Sequence, residues 1–123
     1  MTEAPLILVV DDDEMNRELM LTVLKRSGYR TLEAVNGRQA LSIAAAQSPV
    51  LILLDVRMPD MSGYEVCAQL KANPATQPIK VVILSAYENN IERQNALDSG
   101  ADDFIPKMQG WVQIVERIKA ILS

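Results

Sequence analysis

Five short apolar runs, spaced along the chain with helix-like stretches between them, restrict this sequence more than any other feature. They are LILVV (6–10), YRTLEA (29–34, the weakest), VLILLD (50–55), KVVILS (80–85) and DDFI (102–105). The third and fourth are unbroken Val/Ile/Leu, the pattern of strands buried on both faces of a parallel sheet. Between the runs the apolar period changes from two to that of a helix. Met15, Leu19 and Val23 mark one face of a first helix that should stop near Gly28. Asn36 with Gln39, Ser62 with Glu65, and Asn89 with Glu92 are capping boxes opening three further helices. The second of the five ends before Pro49, and the fourth, about 90–99, carries few apolar residues. Trp111, Ile114, Val115, Ile118, Ile121 and Leu122 define the most amphipathic helix, at the end of the chain. The expectation is (βα)5, an α/β fold with helices on both faces of a doubly wound parallel sheet.

At 123 residues, 49% of them hydrophobic, the sequence fits one domain over 1–123 with a core of useful size. No apolar run approaches the roughly 20 residues of a membrane span. Thr2, Glu3, Ala4 and Pro5 lack the basic start of a signal peptide. Cys67 stands alone, so no internal disulfide forms, and a cytoplasmic setting is the default. A net charge of −4 argues against direct nucleic-acid binding, which needs a basic footprint. The chain has no histidine, which removes the commonest general base and the commonest transition-metal ligand. Any chemistry must run on carboxylates, hydroxyls and lysine.

The carboxylates are placed suggestively. LILVV runs straight into Asp11, Asp12, Asp13 and Glu14. Two carboxylates about 4 Å apart repel by roughly 4 kcal/mol at a protein-surface dielectric, so something must offset the charge. In doubly wound sheets ligands collect beyond the carboxyl ends of the strands. The first run ends at Asp11 and Asp12, the third at Asp55 and the fourth at Ser85, and Lys107 closely follows the fifth. All would share one sheet edge. Three carboxylates with backbone oxygen and water make a hard, oxygen-only site suited to Mg²⁺. A lysine and a hydroxyl opposite would hold the oxygens of a phosphoryl group.

At these residues the chain resembles the receiver domain of two-component response regulators. VVDDD, A-V-N-G (34–37), LLDVRMPDMSG (53–63), LSA (84–86) and GADDFIPK (100–107) carry the likeness, in the family's order and over nearly the whole chain. It implies a flavodoxin-like five-stranded sheet with strand order 2-1-3-4-5. It implies that Asp55 accepts a phosphoryl group from the phosphohistidine of a sensor histidine kinase or phosphotransfer protein, in a Mg²⁺-dependent reaction. Asp12 would be a direct metal ligand, Asp11 would act through metal-bound water, and Asp55 and the Arg57 backbone carbonyl complete the implied set. Ser85 and Lys107 correspond to the phosphate-contacting hydroxyl and lysine. Phe104 falls on the switch aromatic, and Pro59 and Gly63 on the loop after the acceptor. Ser85 and Phe104 would pass the signal to the surface formed by the fourth helix, fifth strand and fifth helix, where a dimer could also form. No membrane partner is implied, and the output is unspecified.

Plainer readings stand beside these. Asp13 reads as the cap of the first helix, Asp102 and Asp103 as solvated loop carboxylates, Cys67 as core, and Trp111 as packing. Arg57 and Tyr87, each two residues beyond a site residue, would rim the pocket and tune the lifetime of the phosphorylated state, or simply face solvent. A haloacid-dehalogenase-like phosphohydrolase would use Asp11 and Asp13, but Met15 stands where Thr or Val belongs and the late acidic pair precedes Lys107. A receiver-like module that binds partners without phosphate is the other alternative. The clearest departure from the family is Met108, where a proline usually follows the lysine. A non-proline cis bond costs about 2.5–4 kcal/mol, so a trans Lys107–Met108 bond and an altered loop through Gln109 and Gly110 are expected.

Overall fold

The computed structural model describes residues 4–86 and 89–123. The elements run β1 (Leu6–Val10), α1 (Glu14–Arg26), β2 (Arg30–Ala34), α2 (Gly37–Gln47), β3 (Leu51–Asp55) and α3 (Gly63–Ala72). They continue with β4 (Lys80–Ser85), α4 (Asn90–Asp98), β5 (Asp103–Pro106), a 3-10 turn (Lys107–Gln109) and α5 (Trp111–Leu122). The strands form one parallel sheet in the order β2-β1-β3-β4-β5. Strand order therefore reverses between β1 and β3, so the crevice beyond their carboxyl ends is the natural place for a ligand.

Alternation along the strands divides the core in two. Leu8, Val10, Ile52, Leu54, Val81 and Ile83 face α2, α3 and α4, with Val66, Leu70 and Phe104 packed among them. Ile7, Val9, Leu51, Leu53, Val82 and Leu84 face α1 and α5, against Met20, Leu24, Ile114 and Ile118. This is why β3 and β4 read as unbroken apolar runs: neither face of either strand meets water.

The caps follow the sequence closely. Asp13, Asn36, Ser62 and Asn89 each accept a hydrogen bond from the backbone N–H three residues on, opening α1 to α4. Strand edges differ from expectation by about a residue: β2 and β3 start one residue later, and β5 is shifted to 103–106. The buried face of α1 is a correction. Met15 and Leu19 are exposed, and the face against the sheet is Arg17, Met20, Leu21 and Leu24. Both stripes have helical spacing; the Asp13 cap and the sheet decide which one turns inward. Asp102 is exposed as expected and Asp103 is half-buried, but both carboxylates also have protein partners. Asp102 accepts from Lys71 Nζ at 3.0 Å and from the Val81 amide at 2.8 Å. Asp103 takes a two-pronged bond from Arg117, at 2.9 and 2.5 Å. Each fastens β5 to a neighbouring element, Asp102 through α3 and β4 and Asp103 through α5.

Candidate functional site

The site grows from four strand ends. β1 leaves the sheet at Asp11, whose amide donates to the Ala34 carbonyl of β2 at 3.2 Å. The Asp11 side chain is fully buried, and its Oδ1 accepts from the Asp13 amide at 2.9 Å. Its backbone carbonyl accepts from Arg17 Nη1 at 2.9 Å, while Arg17 Nε bonds Glu33 at 3.0 Å. One guanidinium thus ties α1 to the ends of β1 and β2. β3 ends at Asp55, buried to 7% exposure, and β4 at Ser85, buried to 2%. Beyond β5, Lys107 places its Nζ 3.0 Å from Asp55 Oδ1 and 3.9 Å from Asp11 Oδ2.

Asp11, Asp12 and Asp55 bring carboxylate oxygens within 4.8 Å of one another. Asp12 is exposed, whereas the other two are buried. Asp11 Oδ2 is a buried oxygen with no hydrogen-bond partner, beside two other carboxylates. Burial, opposed by the Asp13 amide and Lys107 and reinforced by Asp55 and Asp12, pushes Asp11 up to about 6. Burial also raises Asp55, against the hydrogen bond and charge of Lys107. Holding Asp11 and Asp55 ionised this deep is therefore costly, and Lys107 offsets only part of the cost. A small divalent cation is the other way to relieve such a cluster, and three hard oxygen donors with one orphaned lone-pair bearer fit it.

A cavity of about 100 Å³ adjoins these groups, lined by Asp55, Val56, Arg57, Ser85, Ala86, Glu92 and Lys107. The predicted acceptor, hydroxyl and lysine therefore share one small space. Arg57 lies exposed at its rim, and Phe104 is buried beneath the Arg93 guanidinium, 5.2 Å from its ring centre. Pro59 is exposed in the β3–α3 loop, whereas Gly63 is buried at its end. The Gly63 amide donates to the Val56 carbonyl at 2.8 Å, and a Cβ there would lie 2.3 Å from the Asp55 carbonyl oxygen. Only glycine lets α3 start so close to the Asp55 backbone. The Lys107–Met108 bond is trans, as expected, and Met108 is exposed. Tyr87 lies outside the described residues.

Three contributors escaped the sequence reading as site residues. Arg17 had one visible signal, an arginine in the i, i+3, i+4, i+7 stripe that Met20, Leu21 and Leu24 complete. Asp60 accepts from the Gly37 and Arg38 amides, both at 2.9 Å, fastening the loop after Asp55 to the start of α2. Those backbone bonds lower its carboxyl below the ordinary range. Glu92 reaches the cavity from α4, and only the folded chain brings it there.

A parallel 2-1-3-4-5 sheet with three acids, a hydroxyl and a lysine gathered at its switch point defines a phosphoacceptor module of the doubly wound class. Residues 7–119 match the family model described as the response regulator receiver domain, and the chain belongs to that family. It is 41% identical over 115 residues to the response regulator PleD of Caulobacter vibrioides, covering 94% of this chain and 25% of PleD. It is 40% identical over 116 residues to the response regulator MprA of Mycolicibacterium vanbaalenii, covering 94% of this chain and 49% of MprA. The chain thus spans a quarter to a half of these relatives. Among solved structures, a putative response regulator from Chloroflexus aurantiacus superposes with a TM-score of 0.93 at 28% identity, covering 98% of each chain. The receiver domain of a signal transduction histidine kinase from Syntrophus aciditrophicus gives 0.90 at 35% identity, covering 97% of this chain and 90% of that one. Neither the hydrolase nor the phosphate-independent alternative gains support from these likenesses. No helix among the described residues is long and apolar enough to cross a membrane.

Proposed function

We propose that this chain, as one receiver unit, takes a phosphoryl group on Asp55 from the phosphohistidine of a sensor histidine kinase or phosphotransfer protein. An Asp55 carboxylate oxygen attacks phosphorus; the new P–O bond forms as the P–N bond to the donor's imidazole breaks. Lys107, already 3.0 Å from Asp55, pairs with the phosphoryl oxygens, and the Ser85 hydroxyl donates to them from the same cavity. Asp11, Asp12, Asp55 and the Arg57 backbone carbonyl would hold Mg²⁺, which supplies positive charge to the transferring group. The observation that carries this reading is the pairing of a buried acceptor carboxylate with a single lysine, beside an orphaned Asp11 oxygen. Phosphoryl capture by Ser85 would free space for Phe104 to repack and so alter the surface of α4, β5 and α5. That surface is the one we assign to output or self-association. Apart from its own phosphorylation and dephosphorylation the unit performs no turnover, and its setting is the cytoplasm.

The test is intact mass after incubation with Mg²⁺ and a small acyl phosphate. One added phosphoryl group is expected, absent with chelator and absent in Asp55→Asn. Modification that persists in Asp55→Asn overturns the assignment.

A further inference from the structure

The cavity beside Asp55 is lined by an acidic residue outside the metal-type cluster. Glu92, in the first turn of α4, lines it together with Asp55, Arg57, Ser85 and Lys107. Among the described residues the cluster of close carboxylates is Asp11, Asp12 and Asp55, and Glu92 is not part of it. An anion there is chemically at odds with a pocket that takes a dianionic phosphoryl group.

Its orientation is fixed from outside. The Tyr64 phenol, in the first turn of α3, donates to the Glu92 carboxylate and also lies 3.4 Å from the Glu92 backbone carbonyl. Burial and the adjacent Glu92 raise the phenol above its ordinary value, so it stays a donor at any working pH. The hydrogen bond therefore spans from α3 to α4 and fixes the carboxylate of a residue that lines the cavity. The N-terminal turn of α4 does not depend on it, because the Glu92 amide is capped by Asn89 at 2.8 Å.

We propose that Glu92, clasped by Tyr64, is a fixed negative charge that opposes occupancy of the phosphoryl pocket, so that filling the pocket breaks the clasp and releases α4 from α3. The inference rests on the phosphoacceptor reading above. A phosphoryl group on Asp55 and the Glu92 carboxylate cannot both keep their places without like-charge repulsion across one small cavity. The side chain with a way out is Glu92, since Asp55 is anchored at a strand end. Its departure removes a tie between two helices, one of which belongs to the surface assigned to output. This route to α4 runs through charge and is separate from the repacking of Phe104. A single like charge in so small a cavity is worth about tenfold or more in anion affinity, and salt at physiological strength keeps it near the lower figure.

The probe is beryllofluoride with Mg²⁺, titrated by calorimetry and by fluorescence of Trp111, which lines an adjoining cavity with Asp11 and Lys107. Glu92→Gln keeps an acceptor for Tyr64 and removes the charge; it should bind about tenfold more tightly than the parent. Tyr64→Phe lets the carboxylate swing away and should also tighten binding, by a smaller factor. The double variant should bind no more tightly than Glu92→Gln alone, because both act through one charge. Structural damage would weaken binding, so tightening separates the charge from a packing role. Unchanged or weaker binding in Glu92→Gln, while the parent binds and Asp55→Asn does not, overturns this inference and leaves the phosphoacceptor reading standing. Independent, additive gains from the two substitutions overturn the clasp. A parent that fails to bind, or an Asp55→Asn variant that still binds, overturns both.

Discussion

Removing one buried charge should make the metal-free protein more stable. The perturbation is Asp11→Asn. Asparagine keeps the Oδ1 that accepts from the Asp13 amide and replaces Oδ2, which has no hydrogen-bond partner and lies 3.9 Å from Lys107 Nζ, with a neutral group. Asp11 is raised from 3.8 to about 6, chiefly by burial. At 1.36 kcal/mol per pH unit that is at most about 3 kcal/mol, and sharing of charge with Asp55 brings the expected gain to about 2 kcal/mol. The sign follows from linkage. Between 3.8 and about 6 the folded state binds the proton more tightly than the unfolded one, so stability falls as pH rises through that window. Below it the penalty is absent; above it the penalty is complete.

The assay is thermal or urea unfolding of parent and variant in chelator at several pH values. At pH about 7.5 the variant should melt roughly 8 °C higher, taking about 4 °C per kcal/mol for a chain of this size. The gap should close as pH falls below about 4. Millimolar Mg²⁺ should raise the parent more than the variant, since a ligand that binds only the folded state adds stability by mass action. A variant no more stable than the parent in chelator, or a gap that ignores pH, would refute the account of Asp11 as a buried charge that the Asp13 amide and Lys107 only partly offset.

Gly63→Ala should destabilise by about 1–3 kcal/mol in urea titrations and slow Mg²⁺-dependent phosphorylation, because the new methyl meets the Asp55 carbonyl at 2.3 Å. Arg17→Met should cost about 1–3 kcal/mol by leaving the Asp11 carbonyl unpaired, whereas Glu33→Gln, with its side chain 55% exposed, should cost under about 1 kcal/mol. Asp102→Ala should cost about 1–3 kcal/mol and raise hydrogen exchange at the Val81 amide, which loses its acceptor while the cavity beside Asp55 keeps its walls.

Where a residue's task is set by its own strand or turn, the sequence discloses it. Strands buried on both faces have no alternative to continuous Val, Ile and Leu, so a polar residue closing such a run marks the sheet edge, and Asp11, Asp55 and Ser85 could be placed there from order alone. Caps are legible for the same reason, since Asp13, Asn36, Ser62 and Asn89 act on amides three residues away. The errors fall where the partner is remote. Asp102 finds Lys71 and Asp103 finds Arg117, 31 and 14 residues distant, and nothing local distinguishes them from solvated acids. The α1 stripe failed differently: Met15, Leu19 and Val23 have the same spacing as Met20 and Leu24, and a buried arginine concealed the true inward face.

The corner after β5 tests how much of the site depends on a single family feature. Without a proline at 108, the chain makes a trans peptide and a one-turn 3-10 helix over Lys107–Gln109, and Gly110 at φ 84° redirects it into α5. The Ile114 amide then bonds the Gly110 carbonyl at 3.1 Å, beginning the helix without a side-chain cap. Met108 projects outward at 89% exposure and contributes no packing that could steer its neighbour. Yet Lys107 Nζ still sits 3.0 Å from Asp55. Its aim must therefore come from what precedes it. Pro106 fixes its own φ near −64°, and its Cα is paired in register with Ser85, so the lysine leaves β5 at the level where β4 delivers its hydroxyl. Pairing of β5 with β4 places the ammonium; beyond it Gly110 is held by its positive φ, and exposed Met108 is the position where sequence and outer surface can change.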